Sequence, residues 1–459
     1  FGSRSRLLRA SPYIPPFPFL AMGCVLSAPV ELIRVQRHGS AAFRCAVAEM
    51  QGWRVGHEDA HEMRCEGSSG AFWVLDGHGG DDAALYGAPE LAKEFEFVGK
   101  TGEIPANTRL EEGFTSVDSR LNGYFRENPE KNSGSTVVGA LVSKQSDGTY
   151  NMKLLNCGDS RGLVVRGPTE EEDKATPATI RIPAHLEALG SDPDAVARGD
   201  SAPDCQWPLI AESVDHKPNH PTERARIEAA GGQVSEEDPP RLDGNLAVSR
   251  GLGDFEYKSD ADKQPPDQKV SCIPDIYEVS GLRAGSVVVL GCDGVWDVMA
   301  SSEVATFVRD KLRADPHVDL GDVAAQIIRD SLRKNSRDNV TVMIAHLVNG
   351  EDWAQEPDEM KNYEKLADQE FDDDVRKQYF HFLRKSMFPP EPQACAVCSK
   401  WTSNMNQCPC KQVYYCCRNC QKKDWKLHKP RCSSASTSSS SPSGPPKSAA
   451  KGSAKKAKD

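Results

Sequence analysis

Four apolar runs in the sequence each have an aspartate at one end. Each run has the length of a buried strand, and the runs with their aspartates are 71–75 with Asp76, 153–157 with Asp159, 287–290 with Asp293, and 340–347 with Asp338. A carboxylate beside a buried strand is costly to desolvate unless it is paired or holds a metal. One such aspartate is an ordinary turn residue, but four of them indicate a shared site for a hard cation, because Mg²⁺ and Mn²⁺ prefer oxygen ligands.

The charge is divided unevenly along the chain. Residues 395–459 contain 13 Lys/Arg and 2 Asp/Glu, a net charge of +11, so residues 1–394 carry −22 of the total of −11. Binding to a phosphate backbone depends on many Lys and Arg side chains, so the acidic part argues against a nucleic-acid enzyme. Nucleic acid is therefore not an expected partner, and an anionic substrate must be held locally.

In order and spacing, a longer series of motifs resembles the type 2C, metal-dependent serine/threonine protein phosphatases. The matching motifs are Gln51-Gly52-Trp53-Arg54-Val55, Glu58-Asp59-Ala60-His61, residues 76–80, Ser133-Gly134-Ser135-Thr136, residues 156–161, Asp215-His216-Lys217-Pro218, residues 223–232, residues 246–250, Gly253-Asp254, Pro274-Asp275, residues 293–297 and Ser336-Arg337-Asp338-Asn339. The resemblance covers about residues 40–348. It implies an α+β fold, a four-layer αββα sandwich of two antiparallel sheets flanked by helices, and phosphoprotein substrates.

The resemblance also implies a two-metal centre. Asp76 would bridge two Mg²⁺ or Mn²⁺ ions, and the Gly77 carbonyl and Glu58 would serve one of them directly or through water. Asp293 and Asp338 would hold the other ion. Two such ions lower the pKa of a shared water, which can then attack phosphorus directly.

Four further residues match roles in the same family. Asp159 and Asp297 match positions linked to a third, weaker metal. Arg54 would clamp the substrate phosphate through its planar fork, and His78 would protonate the departing serine or threonine oxygen. Simpler roles stay open, because Arg54 could form a surface ion pair, His78 could be a turn residue and Asp159 could end a strand.

The sequence departs from the family pattern at a few positions. His57 stands where an apolar residue is expected, and Gly251 stands in place of alanine. Asp59, Asp254 and Asp275 are interpreted as supporting residues and not as ligands. Residues 167–212 form a longer stretch than the expected hairpin and lack periodicity over most of their length, which predicts a surface insertion.

The region after residue 348 changes character. Residues 349–393 are charged, with apolar residues at three-to-four spacing, which predicts one or two linking helices. Of the 15 cysteines, 8 lie between Cys395 and Cys432. Seven of these cysteines, together with one histidine, offer two tetrahedral zinc sites, because thiolate and imidazole ligands select zinc.

Residues 394–432 resemble a MYND finger, on the Cys-x2-Cys, Cys-x-Cys, Cys-x3-Cys and His-x3-Cys spacings and on Tyr414, Tyr415 and Trp425. The resemblance implies two interleaved structural zinc sites, one of Cys395, Cys398, Cys416 and Cys420, the other of Cys408, Cys410, His428 and Cys432. Because so short a segment lacks a core of its own, zinc must supply its folding energy. The resemblance implies short proline-containing peptides as partners, and a purely stabilising appendage is the alternative.

Both ends of the chain have distinct compositions. We expect residues 1–39 to be an N-terminal segment whose natural start is Met22, followed by a myristoylation pattern at Gly23 with a palmitoylation candidate at Cys24. Residues 433–459 are rich in Ser, Pro, Ala and Lys, which is typical of a disordered basic tail. The expected location is the cytoplasm, with peripheral membrane association if Gly23 is acylated and the nucleus as an alternative.

Three functions compete at this stage. The first is a Mg²⁺- or Mn²⁺-dependent protein serine/threonine phosphatase that docks partners through its finger. The second is a catalytically weak adaptor that binds phosphoproteins, which the intact carboxylates oppose. The third is a two-metal nuclease, which the charge of −22 on residues 1–394 disfavours.

Overall fold

The computed structural model describes residues 25–96, 103–169, 178–190, 207–350, 357–367, 371–386, 395–398, 406–410 and 413–432. The chain divides into two compact units. The first comprises residues 1–362 and 371–387, and the second comprises residues 363–370 and 388–459.

The strands of the described residues are numbered in chain order. They are β1 Val25–Val30, β2 Ile33–Ser40, β3 Phe43–Met50, β4 Gly52–Arg54, β5 Ala60–Glu66, β6 Ser69–Leu75, β7 Gly77–His78, β8 Gly134–Ser135, β9 Val137–Lys144, β10 Tyr150–Cys157, β11 Arg161–Val165, β12 Thr179–Arg181, β13 Leu209–Glu212, β14 Leu252–Gly253, β15 Asp275–Leu282, β16 Val287–Gly291, β17 Val340–Leu347, β18 Glu359–Lys361, β19 Asn406–Gln407 and β20 Tyr414–Tyr415.

The helices are numbered in the same way. The α-helices are α1 Asp82–Glu94, α2 Asn107–Glu127, α3 Ala184–Gly190, α4 Pro221–Ala229, α5 Asp293–Trp296, α6 Ser301–Ala314, α7 Leu320–Arg333, α8 Asp373–Lys385 and α9 Arg418–His428. Short 3-10 helices span Phe255–Lys258, Pro265–Asp267, Tyr363–Ala367 and Lys429–Arg431.

Two antiparallel sheets form the centre of the first unit. One has six strands in the order β12-β15-β10-β9-β6-β5, and the other has seven in the order β13-β11-β16-β17-β3-β2-β18. Helices α1 and α2 pack on the six-stranded sheet, and α6 and α7 pack on the seven-stranded sheet. The predicted four-layer αββα sandwich is confirmed.

Alternation of side chains along the strands explains this layering. In β16, Val287 and Val289 face the helices, whereas Val288 and Leu290 face the opposite sheet. Both faces of a central strand are therefore buried, so the strand is apolar throughout its length. This is why the apolar runs of the sequence predicted buried strands.

The first unit contains more of the chain than residues 40–348. Strand β1 pairs with β4, and β2 pairs with β3 within the seven-stranded sheet, although the sequence placed residues 1–39 outside the domain. At the other end, β18 pairs with β2, and α8 packs against β1. The described part of the segment predicted as a helical linker therefore contributes a strand and a helix to this unit.

The described parts of residues 167–212 are more ordered than the sequence predicted. Strand β12 pairs with β15, and β13 pairs with β11, so the two strands extend the two sheets at their edges. Leu186 of α3 is buried among residues between the sheets. Short strands and a seven-residue helix are too brief to give a clear periodic pattern, which explains the difference.

The described part of the second unit includes a small finger. Strands β19 and β20 pair, and α9 follows them directly. Its buried cluster consists of Tyr415 and cysteines. Tyr415 also donates a hydrogen bond of 2.7 Å to Asp424 of α9. Across the described ranges, every helix is too short or too polar to span a lipid bilayer.

Candidate metal centre and zinc finger

One cavity of about 450 Å³ gathers most of the predicted catalytic and metal-binding residues. Eight of them line it: Arg54, Glu58, Asp76, Gly77, His78, Asp159, Asp293 and Asp338. Asp297 directly follows α5, one turn beyond Asp293, and its backbone N–H donates to the Asp293 carbonyl. It is exposed and does not line the cavity.

The strands explain why these residues meet. Asp76 follows β6 and Asp159 follows β10, both in the six-stranded sheet. Asp293 follows β16 and Asp338 precedes β17, which are neighbours in the seven-stranded sheet. Antiparallel neighbours place the end of one strand beside the start of the next, so the carboxylates of both sheets meet at one end of the sandwich.

The backbone at Asp76 is fixed by the Ser133 to Thr136 motif. The Asp76 carbonyl accepts hydrogen bonds from the Thr136 backbone N–H at 2.9 Å and from the Ser135 hydroxyl at 3.1 Å. The Asp76 backbone N–H donates to Thr136 Oγ1 at 3.3 Å. A side chain at Gly77 would place a Cβ 2.5 Å from the Glu58 carbonyl oxygen, so this close approach requires glycine.

The carboxylates in the cavity repel one another. Burial, and then the charges of Asp293, Asp59 and Asp338, raise the pKa of Asp76 well above its usual value. Burial and the charges of Asp159 and Asp338 do the same to Asp293. Asp293 Oδ1 is buried and lacks a hydrogen-bond partner among the described residues. Divalent cations would relieve both the repulsion and the missing contact, so the donor set fits hard metal ions.

Two neighbours of Asp76 were not predicted as part of the metal centre. Ligand atoms of Asp59, Asp76 and Cys292 all lie within 4.8 Å of one another. Burial and the nearby carboxylates raise the pKa of the Cys292 thiol well above its usual value, and the hard cations that suit this site prefer oxygen to sulfur ligands. Asp59 Oδ2 accepts a 2.6 Å hydrogen bond from the Thr341 hydroxyl, which gives Asp59 a supporting position.

Arg54 lies at the mouth of the cavity. Its Nη2 donates to Asp338 Oδ2 at 2.5 Å, and 43% of its side chain is exposed. Burial lowers the pKa of Arg54, but the charges of Asp338, Asp293 and Asp76 outweigh that effect and raise it. The guanidinium is therefore charged, partly accessible and directed at the acidic cluster.

His78 is paired with a carboxylate that the sequence placed in a supporting role. His78 Nε2 lies 2.8 Å from Asp254 Oδ2. Although burial lowers the pKa of His78, the charge and hydrogen bond of Asp254 raise it above its usual value. A Cβ at Gly134 would overlap both side chains, so glycine at this position leaves the room that the pair occupies.

Asp159 already has a cationic partner. Lys217 Nζ donates to Asp159 Oδ2 at 2.5 Å, and the Asp159 side chain is 4% exposed. Burial lowers the pKa of Lys217, but the Asp159 and Asp293 charges outweigh that effect and raise it. A third metal at Asp159 would have to compete with this ammonium, a contact that sequence spacing could not reveal.

Several other family motifs build a buried ionic network. Arg250 donates to both oxygens of Glu223 and to Asp275 Oδ1 at 2.7 Å. Arg226 donates to Glu223 at 2.6 Å, and His216 Nε2 lies 3.2 Å from Asp275. These residues support the loops around the cavity and do not line it.

The finger brings together the two expected sets of zinc ligands. Within each set, one ligand atom from every residue lies within 4.8 Å of the others, and the sets are Cys395, Cys398, Cys416 and Cys420, and Cys408, Cys410, His428 and Cys432. Four thiolate or imidazole ligands at this spacing fit tetrahedral zinc. Cys417 is exposed and belongs to neither set. Gly23 and Cys24, the predicted acylation sites, lie outside the described residues.

Comparisons with known families match both parts of the chain. The family described as Protein phosphatase 2C matches residues 43–177 and 209–340. The MYND finger family matches residues 395–432. The gap in the first match, residues 178–208, falls inside the stretch that the sequence predicted as an insertion.

Individual relatives agree with the family match. The chain is 32% identical to Protein phosphatase 1A of Bos taurus over 361 residues, which cover 75% of this chain and 81% of the relative. It is 31% identical to Protein phosphatase 1B of Mus musculus over 354 residues, covering 73% and 78%. A solved phosphatase structure from Toxoplasma gondii has a similar fold, with a TM-score of 0.55, 24% identity, and coverage of 72% of this chain and 99% of that one.

Proposed function

The chain belongs to the protein phosphatase 2C family and carries a MYND finger, and we propose that it hydrolyses phosphoserine and phosphothreonine in proteins at a centre of two Mg²⁺ or Mn²⁺ ions. The observation that carries the proposal is the convergence of a guanidinium, an imidazole and carboxylates from both sheets in one cavity. No single element of the chain supplies more than a part of this set.

The residues of the cavity suit the binding of two divalent cations. Asp76, the Gly77 carbonyl and Glu58 would serve one ion, with Asp76 shared, and Asp293 and Asp338 would serve the other. When bound, such ions lower the pKa of a water molecule and neutralise charge on the phosphoryl oxygens. Mn²⁺ and Mg²⁺ both accept all-oxygen ligand sets, so the chain is expected to accept either.

Arg54 would bind the phosphoryl group. Its planar fork matches two phosphoryl oxygens, and its position at the cavity mouth leaves part of the guanidinium accessible. Arg54 shares Asp338 with the proposed metal site. A cation at Asp338 would weaken that ion pair and leave the guanidinium to the substrate.

His78 would protonate the departing serine or threonine oxygen. An alkoxide is a poor leaving group, and a positioned general acid contributes roughly 10²–10⁴-fold to the rate. Asp254 holds the ring and favours its protonated form. The pair therefore favours a proton on the ring beside the carboxylate cluster.

The test is phosphate release from a phosphothreonine peptide by the full chain. We expect turnover only with added Mg²⁺ or Mn²⁺, and its loss in Asp76→Asn and in Asp293→Asn. The matched control is Asp310→Asn, which changes an exposed aspartate on the outer helix α6. Turnover that persists in excess chelator would contradict the mechanism. A peptide that binds but is never hydrolysed would favour the adaptor alternative.

We also propose that the finger docks protein partners through short proline-containing peptides. Its described residues expose Leu427, Trp425 and Val397, with 71% of Leu427 accessible. A structural zinc site with four protein ligands has no open position for catalysis, so binding is the role left to it. Leu427→Glu should weaken binding of a fluorescent proline-containing peptide to the full chain, whereas Leu85→Glu, on the exposed face of α1, should not.

Acylation and location stay proposals. Myristoylation of Gly23 and palmitoylation of Cys24 would together give stable membrane attachment, because one acyl chain alone binds only marginally. Without both, the proposed location is the cytoplasm, with the nucleus as an alternative. Intact mass after co-expression with a myristoyltransferase would decide, and an unmodified Gly23 amine would contradict acylation.

A further inference from the structure

Lys385, at the end of α8, contacts two segments that carry the proposed active-site residues. Its ammonium donates to the His57 carbonyl oxygen and to Asp81 Oδ2, the latter at 2.7 Å. Lys385 lies outside residues 43–177 and 209–340, which match the phosphatase family. We propose that Lys385 is a positioning residue that holds the Glu58 segment against the Asp76 segment, an inference that rests on the proposed phosphatase function.

The Glu58 segment, residues 51–59, is fixed on its inner side. Asn339 Nδ2 donates to the carbonyls of Gln51 at 2.8 Å and Gly56 at 2.9 Å, and Asn339 Oδ1 accepts from the Glu58 backbone N–H at 2.8 Å. On its outer side, the His57 carbonyl oxygen accepts a hydrogen bond from the Lys385 ammonium. Lys385 therefore complements Asn339 across the segment that contains Arg54 and Glu58.

The Asp76 segment ends at Asp81, directly before α1. The Asp81 carbonyl accepts the first hydrogen bond of α1, from the Leu85 N–H at 2.9 Å. Between Asp76 and Asp81, the Gly80 backbone faces the Glu58 carboxylate: burial raises the pKa of Glu58, and the Arg54 charge and the Gly80 N–H partly offset that effect. One ammonium at Asp81 thus connects α1, the loop after Asp76 and the backbone next to Glu58.

Helix α8 is anchored well enough to place Lys385. Val375, Tyr379, Phe382 and Leu383 are buried along one face of the helix. The Tyr379 hydroxyl donates to the Pro29 carbonyl and accepts from the Glu31 N–H at 3.1 Å. The Phe382 ring lies 5.2 Å from the His57 ring. The helix therefore contacts the same segment through packing as well as through the ammonium.

The Lys385 side chain is largely shielded from solvent, so its ion pair with Asp81 is screened less than a surface pair. The Lys385 side chain is 18% exposed, whereas Lys377 on the same helix is 73% exposed and pairs with its neighbour Asp374. A displacement of about 1 Å at a reacting centre costs roughly 100-fold in rate. Partial release of the segment should therefore lower kcat by about tenfold or more.

The experiment compares Lys385→Met with Lys377→Met in the full chain. We expect Lys385→Met to lower kcat on a phosphothreonine peptide about tenfold, with a smaller change in KM, and to weaken Mn²⁺ binding measured by electron paramagnetic resonance. Hydrogen exchange should become faster in residues 51–59 and 76–82. Lys377→Met should match the wild type in every readout, and Lys385→Arg should recover most of the loss.

Asp81→Asn tests the same contact without changing helix α8. It should accelerate hydrogen exchange in the same residues, 51–59 and 76–82. Combining it with Lys385→Met should lower kcat little further, because both substitutions remove the ion pair between Lys385 and Asp81. The proposal would be overturned if Lys385→Met showed the same kcat and the same hydrogen exchange at residues 51–59 as Lys377→Met. A uniform loss of thermal stability without faster exchange at residues 51–59 would also overturn it. If the wild type releases no phosphate, the proposed function fails, whereas the exchange and Mn²⁺ measurements still decide on Lys385.

Discussion

Replacing Asp254 with Asn should narrow the pH range over which His78 can donate a proton. Burial lowers the pKa of His78, and the adjacent Asp254 carboxylate, 2.8 Å away, raises it above its usual value. A hydrogen bond to a charged group contributes about 1.5–3 kcal/mol, and one pKa unit corresponds to about 1.36 kcal/mol. Loss of the Asp254 charge should therefore lower the pKa of His78 and weaken proton binding to its ring by about tenfold or more.

The sign follows from the role of His78 as an acid. Activity requires the protonated ring, so it is lost as pH rises through the pKa of His78. A lower pKa moves that loss to lower pH, so the alkaline limb of kcat in Asp254→Asn should shift to lower pH and kcat on that limb should fall by about tenfold or more. The variant should therefore retain more of its activity at pH 6 than at pH 8.

The assay compares pH profiles of kcat for two substrates. A phosphothreonine peptide needs protonation of its leaving oxygen, whereas p-nitrophenyl phosphate does not, so the shift should be clear only with the peptide. Asp243→Asn is the matched control, because Asp243 also has a positive φ, 48° against 52° for Asp254, and pairs with Lys269 on an exposed loop. Coincident peptide profiles for Asp254→Asn and wild type would refute the assignment of His78 as the acid.

Three further outcomes are expected. Gly134→Ala should abolish phosphate release, because the added Cβ would overlap the His78 side chain. The control Gly123→Ala lies at an open helical position, so it should keep full activity and gain about 0.5–1 kcal/mol of stability in thermal unfolding. Lys217→Met should leave the Asp159 carboxylate without its ammonium and raise the affinity for an additional Mn²⁺, measured by titration calorimetry; unchanged binding would contradict competition at that position. A strong chelator should release two zinc ions per chain and accelerate hydrogen exchange in residues 395–432, and slow exchange in the metal-free protein would show that zinc does not stabilise the finger.

The sequence could predict the cavity because its residues lie at the ends of apolar strands. Burial on both faces makes β6, β16 and β17 apolar throughout, so their ends are visible as the points where Asp76, Asp293 and Asp338 occur. The family resemblance supplied the layered architecture of two antiparallel sheets flanked by helices, which local patterns do not contain. The zinc sites of the finger could also be predicted, because zinc ligands are identified by residue type and spacing.

Contacts between distant side chains could not be predicted in the same way. The pairing of Asp159 with Lys217 joins residues 58 positions apart, and no periodic pattern links them. The amphipathic pattern of α8 predicts a helix but not the surface on which the helix packs. The pattern therefore cannot distinguish a linking helix from one that belongs to the phosphatase unit. His57 departs from the family pattern, and the sequence gives no reason for it. In the structure its ring packs against Phe382, and its carbonyl oxygen accepts a hydrogen bond from Lys385.

The central claim is that carboxylates from both sheets hold two divalent cations at one end of the sandwich. Mn²⁺ titration of the full chain, followed by electron paramagnetic resonance, tests it most directly when zinc already fills the finger. We predict two tightly bound, magnetically coupled Mn²⁺ ions per chain in the wild type, and loss of the coupling in Asp76→Asn. Uncoupled Mn²⁺, or coupling that persists in Asp76→Asn, would contradict a shared centre.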